Sequence, residues 1–236
     1  MKVIRPYQPL LLRFVHGLTT LFLILAMITA YWTYDVYDGR WGQIPLPKFE
    51  EIEGIHGTFG LWTLLIFPTL VFYAFHQGRK RLIQRNTLAN LTHISQKGWS
   101  YHLHRVINTL MLISLTFAVF TGKMMDEKWL PNGELNHVWY LGHLLSWVIM
   151  FISLAFHLLV SAKVGGLPFL FSMFNWFYTP QDSPLRWANN LKSYGQNVNF
   201  SWVKLWWRRT FWIKWLELLV WVSLVAAWIL AMVKEA

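Results

Sequence analysis

The sequence predicts an all-α integral membrane protein, a four-helix bundle with a fifth transmembrane helix appended. Three observations carry that expectation. Of 236 residues, 55% are hydrophobic and only 14% are Asp, Glu, Lys or Arg, against about a quarter in a soluble domain. Five stretches run uncharged, or nearly so, for the roughly 20 residues a helix needs to cross a bilayer. Lys and Arg gather in alternate connections, and the acids gather in the others.

The first span lies between Arg13 and Asp35, where FVHGLTTLFLILAMITAYWTY holds no charge. It is longer than the apolar part of a secretory signal and no small-residue cleavage pattern follows, so it is expected to stay in the chain. The second lies between Glu53 and Arg79 and contains His56, Gly57, Gly60 and Pro68. Membrane helices tolerate a mid-span proline, at the expense of a kink. The third span runs from about His104 to Gly122, the fourth from about His137 to Ala162, and the fifth from about Phe211 to Val233 with Glu217 near its start. Residues 164–181 (VGGLPFLFSMFNWFYTPQ) are uncharged and aromatic but barely long enough to span. If they crossed, the basic stretch after them would fall on the wrong side, so they are expected to lie in the interface. The expected organisation is a core over 1–165, an aromatic and basic interfacial link over 166–210, and the fifth helix over 211–236.

The charge pattern also sets an orientation. Lys2, Arg5 and Arg13 precede the first span, Arg79, Lys80, Arg81 and Arg85 follow the second, and Lys163, Arg186, Lys204 and Arg208 follow the fourth. The intervening connections hold Asp35, Asp38, Glu50, Glu51, Glu53 and Glu134. By the positive-inside rule the N-terminus is expected to be cytoplasmic and the C-terminus on the opposite side. The net charge of +10 is thereby a topology signal, and nucleic acid is not expected as a partner.

There is no cysteine, which excludes disulfides, thiolate-held clusters and C-x-x-C-H haem attachment. Nine histidines remain as the principal metal-binding side chains. His143 and His157 are 14 residues apart on one predicted helix, about 40° short of four full turns and about 21 Å apart along the axis. His16 enters the first span from the N-terminal side and so matches His157 in depth. His56 enters the second span from the other side and matches His143. Two pairs at two depths suit haem iron with two imidazole ligands, which leaves no open position and favours electron transfer. Gly17, Gly57 and Gly142, each next to one of these histidines, offer room for a flat macrocycle. Arg13 and Arg105 near the N-terminal side are candidates for its propionates, with positive-inside anchoring as their plainer role. A zinc or manganese site would instead favour histidines at i, i+4 with carboxylates among them, and no span contains that cluster. Of the other five, His76 faces away from His56 and is expected at the interface, while His93 and His102 belong to the basic link. His104 is the reserve ligand for the first pair, and His137 sits at the outer interface, in a structural or quinone-adjacent role.

The chain resembles the prokaryotic cytochrome b561 family and its relatives, the b-type cytochrome subunits of nickel–iron hydrogenases and formate dehydrogenases. The resemblance rests on RFVHGL, IHGTFG, LHRVINTLM and GHLLSWVIMFISLAFHLLVSAK, and covers about residues 8–165. It implies that His16 and His157 hold one haem b and His56 and His143 a second. The sequence departs from the family at Lys163-Val164-Gly165-Gly166, where a basic, histidine-rich extension is common, and at Arg105-Val106-Ile107-Asn108, where an aromatic pattern is common.

The expected function is therefore a membrane di-haem b-type cytochrome of a prokaryotic plasma or thylakoid membrane. It would pass electrons between carriers, with quinone or a redox partner protein at one end, lipid around it, and a second copy of the chain as an admissible partner. Two alternatives use the same residues: an anchor subunit docking a dehydrogenase through Arg186–Trp215, and a haem-free transporter with histidine proton relays.

Overall fold

A computed structural model describes residues 6–94, 98–125, 128–187, 189, 206 and 211–235. Five helices in it are long and apolar enough to cross a membrane, and no strand occurs among the described residues. They are α1 (Leu10–Tyr37), α2 (Ile52–His76), α4 (Trp99–Met124), α5 (Val138–Phe171) and α6 (Phe211–Glu235), with a short α3 (Thr87–Leu91) before α4. Most of the basic aromatic stretch 188–210 lies outside the described residues.

Local chemistry explains where the helices begin and end. Pro9 precedes α1, whose first free amide, that of Leu10, donates to the Asp182 carboxylate. Gly39, at φ +63°, turns the chain after α1, and Gly98, at φ +101°, turns it into α4. His137 caps α5 by accepting from the Trp139 amide at 3.3 Å. Within the helices, Thr19, Thr63, Thr109 and Thr116 donate to the carbonyl four residues earlier, at 2.8, 2.8, 2.9 and 2.8 Å. Their hydroxyls are thus satisfied where no water is at hand.

α1 packs along α2, and α4 along α5, so the molecule is built from two helical hairpins facing each other. The starts of α1, α4 and α6 share one end of the bundle with the finishes of α2 and α5. At that basic end Arg81 Nη2 donates to Gln8 Oε1 (2.8 Å) and Arg13 Nη2 to the Phe177 carbonyl (2.9 Å). At the opposite, acidic end Arg40 ties three points together. Its Nε donates to Asp38 (2.6 Å), Nη1 to Asn136 Oδ1 (3.0 Å) and Nη2 to the Leu135 carbonyl (2.7 Å), while Tyr140 donates to Asp38 at 2.8 Å.

The core is displaced toward α2, α4 and α6. Leu64, Phe67, Val71 and Phe75 of α2 and Leu112 and Leu115 of α4 are buried in one cluster with Ile213, Val220, Leu224, Ala227 and Ala231. The α6 members recur at steps of seven, four, three and four residues, the signature of one helix face. Glu217 lies on that same stripe and accepts from Trp206 Nε1 at 3.0 Å.

The fourth span is longer than the sequence suggests. α5 continues past Ala162 to Phe171, changing direction at Gly166 (φ +70°), with Pro168 two residues on. Single turns at Ser172–Phe174 and Pro180–Asp182 then bring the chain back to the start of α1, where Tyr7 donates to Asp182 at 2.6 Å. Segment 164–181 therefore begins and ends at the basic end. Phe174, Trp176 and Phe177 there are three-quarters or more exposed, as suits aromatic rings at headgroup level.

The off-centre core makes a stability prediction. Phe67→Ala, at a site 1% exposed, should cost about 3–5 kcal/mol by leaving a cavity. Phe72→Ala, at a site 56% exposed on the same helix, should stay within about 1 kcal/mol. Denaturation in mixed micelles measures both.

Candidate functional site

Each hairpin contributes one member to each histidine pair. His16 of α1 faces His157 of α5 with ring centroids 6.2 Å apart and planes inclined by 32°. His56 of α2 faces His143 of α5 at 5.9 Å and 62°. The first pair lies toward the basic end, the second toward the acidic end. Between them the pairs take in all four of the histidines that sequence depth had matched.

The ring nitrogens of these four are used alike. His157 Nδ1 lies 3.0 Å from Asn108 Oδ1, and His143 Nδ1 3.1 Å from Thr121 Oγ1. His56 Nδ1 lies 3.0 Å from the Ala26 carbonyl, and His16 Nδ1 3.4 Å from Thr20 Oγ1. A carbonyl or amide oxygen can only accept, so the proton of His56 and His157 sits on Nδ1. On those two Nε2 is then a bare lone pair, and among the described residues no Nε2 of the four makes a hydrogen bond. This is the arrangement of a metal-binding histidine, whose other nitrogen is held by a carbonyl or polar side chain.

Spacing and space can be tested against a metal macrocycle. An imidazole nitrogen binds a metal at about 2 Å, so two rings meeting one ion end-on hold their centres about 6 Å apart. Both pairs have that separation. Open space adjoins the rings, for each keeps partial exposure although it lies inside the bundle. At the acidic end the space is a cavity of about 370 Å³ between α1 and α5, lined by both His56 and His143 with Tyr31, Tyr34, Tyr140 and Trp147. Gly60, one turn from His56 on the same face, has no atom within 4 Å of where a Cβ would stand, and the same holds for Gly17 and Gly57. The residues fit a flat group between paired imidazoles. Among the described residues no group of three or more His, Cys, Asp or Glu could hold a bare metal ion.

The glycines divide differently from the sequence expectation. A Cβ at Gly142 would pack against Phe117 and Thr121 at 3.5 and 3.6 Å, so Gly142 serves α4–α5 contact and not cofactor room. Gly122, unremarked in the sequence, is the glycine that meets a ligand candidate: its Cβ would stand 3.2 Å from His143 Cε1.

Arg13 is buried, lies over the Tyr7 ring at 5.6 Å, and leaves Nε without a partner. Arg105 is engaged at the periphery, donating to the Lys80 carbonyl at 2.9 Å and stacking over Tyr101 at 4.5 Å. Arg81, which sequence reasoning did not single out, lies within electrostatic reach of His16 and His104. His104 is buried and stacked on His157 at 5.7 Å, but its Nε2 is taken by Ser161 Oγ at 3.1 Å. His76 bonds the Phe72 carbonyl, His102 meets Asn90, His137 caps α5 against Trp129, and His93 is exposed. Asn108 and Thr121 were also missed. An amide inside an apolar span was a visible signal for Asn108, whereas Thr121 resembles every other helix-satisfied threonine.

Comparison with known proteins bears on the same stretch. The family model described as prokaryotic cytochrome b561 matches residues 7–176, which takes in α1 to α5 and all four paired histidines. No curated protein and no solved structure matches the chain.

Proposed function

The chain belongs to the prokaryotic cytochrome b561 family and is thus a multi-pass membrane b-type cytochrome of electron transfer, and on that premise we propose that it carries two haems, one in each histidine tier. His16 and His157 would hold the haem at the basic end, and His56 and His143 the haem at the acidic end. The observation that carries this reading is the set of four unbonded Nε2 atoms, arranged as two pairs with ring centres about 6 Å apart.

Bound haem supplies one-electron Fe(III)/Fe(II) chemistry, and with imidazole on both sides no position stays open for substrate. The remaining work belongs to the chain. α5 sets the two tiers about 21 Å apart along its axis, through the 14 residues from His143 to His157. Arg13, buried with Nε unpartnered, is placed to meet a propionate at the basic end, and it is better placed for this than Arg105. The largely apolar walls would limit water at a bound haem and so help set its potential. The electrons would pass between carriers at the two membrane faces, one of them a quinone or a redox partner protein. The basic end would face the cytoplasm, which puts the N-terminus inside and the C-terminus outside.

A purified sample should give a reduced-minus-oxidised b-type spectrum and two haems per chain by pyridine haemochrome assay; none or one overturns the two-haem reading. His143→Ala should lose one haem and keep the other, and His157→Ala should do the same at the opposite tier. Gly122→Leu, which drives a side chain into the His143 ring, should reproduce the His143→Ala haem count while leaving that histidine in place. Reporter fusions at the two termini should place them on opposite sides of the membrane.

A further inference from the structure

α4 carries none of the four paired histidines, yet it touches both that α5 contributes. Asn108 Oδ1 stands 3.0 Å from His157 Nδ1, and Thr121 Oγ1 stands 3.1 Å from His143 Nδ1. Neither contact is free to reverse. The Asn108 amide nitrogen donates to the Arg81 carbonyl at 3.1 Å, which turns its oxygen toward the histidine. The single proton of the Thr121 hydroxyl goes to the Phe117 carbonyl at 2.7 Å, so toward His143 that oxygen accepts.

An acceptor on Nδ1–H pushes electron density through the imidazole to Nε2 and makes that nitrogen a stronger donor to whatever it binds. A stronger donor favours the more highly charged iron and so lowers its affinity for an electron. The two acceptors also differ in kind, an amide oxygen anchored to the 79–84 connection and a hydroxyl anchored within its own helix. They lie 13 residues apart on α4, against 14 between the histidines on α5, so each addresses one tier and neither reaches the other.

We propose that Asn108 and Thr121 are positioning residues that set the electron affinities of the two centres separately, Asn108 through His157 and Thr121 through His143. This rests on the two-haem reading above. It adds that the ligand-free helix is the tuning element of the pair.

The test uses the purified holoprotein, with redox titration followed optically, low-spin EPR and a haem count on every sample. Asn108→Leu keeps the side chain's shape and removes the acceptor, and Thr121→Val removes the hydroxyl acceptor while leaving the Ala118 carbonyl, which also bonds the His143 ring. Each should retain two haems. N108L should move half of the haem absorbance toward easier reduction by about tenfold, about 59 mV for one electron, and leave the other half in place. T121V should move the complementary half, and the double variant should move both additively. Asn108→Asp, a stronger acceptor at the same position, should move the N108L half in the opposite direction.

Unchanged titrations with two haems bound would overturn the proposal, as would either single variant moving both halves together. If N108L loses haem, N108D decides. Haem retained and harder to reduce supports the proposal, whereas haem retained without a shift, or lost again, overturns it. Failure of the two-haem reading shows itself separately, as a wild-type count of none or one.

Discussion

A neutral imidazole inside a bilayer brings one donor and one acceptor that water cannot satisfy, and this bundle meets the donor at His56, His143 and His157 while leaving the acceptor open. The four Nε2 atoms converge as two pairs and border the open space beside the rings, which are partly exposed inside the bundle. The Nδ1 contacts from Asn108, Thr121, Ala26 and Thr20 hold the rings so that the open nitrogens face one another across the hairpins. Rotating any ring to relieve its Nε2 would break the bond on Nδ1. The site is thus preorganised by the expense of every alternative rotamer.

That arrangement accounts for the rest of the packing. Space kept between the hairpins cannot be filled by side chains, so the hairpin interface supplies little of the core. Leu64, Phe67, Val71 and Phe75 of α2 instead turn toward α4 and toward Val220, Leu224 and Ala227 of α6. The fifth helix, beyond the stretch that the family shares, closes the α2/α4 side, while the α1/α5 side holds the cavity. Lipid-facing helices gain little from hydrophobic transfer and depend on contact, so a helix seated on that groove adds packing where the bundle most lacks it.

The sequence made the spans, the alternation of charge and the histidine depths legible, because each depends on residue type and position along one helix. Hydropathy locates α1, α2, α4 and α6 to within a few residues. It loses the end of α5 because Gly166 bends the helix without ending it, and a glycine followed by proline reads as a stop. What stayed illegible depends on contact between helices. Gly142 and Gly122 look equally suited to making room, and only the register of α4 against α5 shows that one packs on Phe117 and the other on His143. His104 reads in the sequence as a reserve ligand, but its Nε2 is engaged by Ser161. Asn108 lies in the stretch where the chain departs from its family's usual pattern, and that departure places an amide against His157.

One antiparallel hairpin and one helix that runs without a break from His143 to His157 are enough to generate two tiers. α1 and α2 run in opposite directions, so a histidine early in each, His16 in one and His56 in the other, falls near opposite ends of the bundle. α5 then has to present two histidines to the same hairpin, His157 to α1 and His143 to α2, and 14 residues is close enough to whole turns to do so. Such a design works only if α5 cannot slide or rotate, since a shift of one residue would swing both rings by about 100°. α4 prevents it through three ties spaced along its length: His104 to Ser161, Asn108 to His157 and Thr121 to His143. The helix without a paired ligand therefore fixes the register on which both pairs depend.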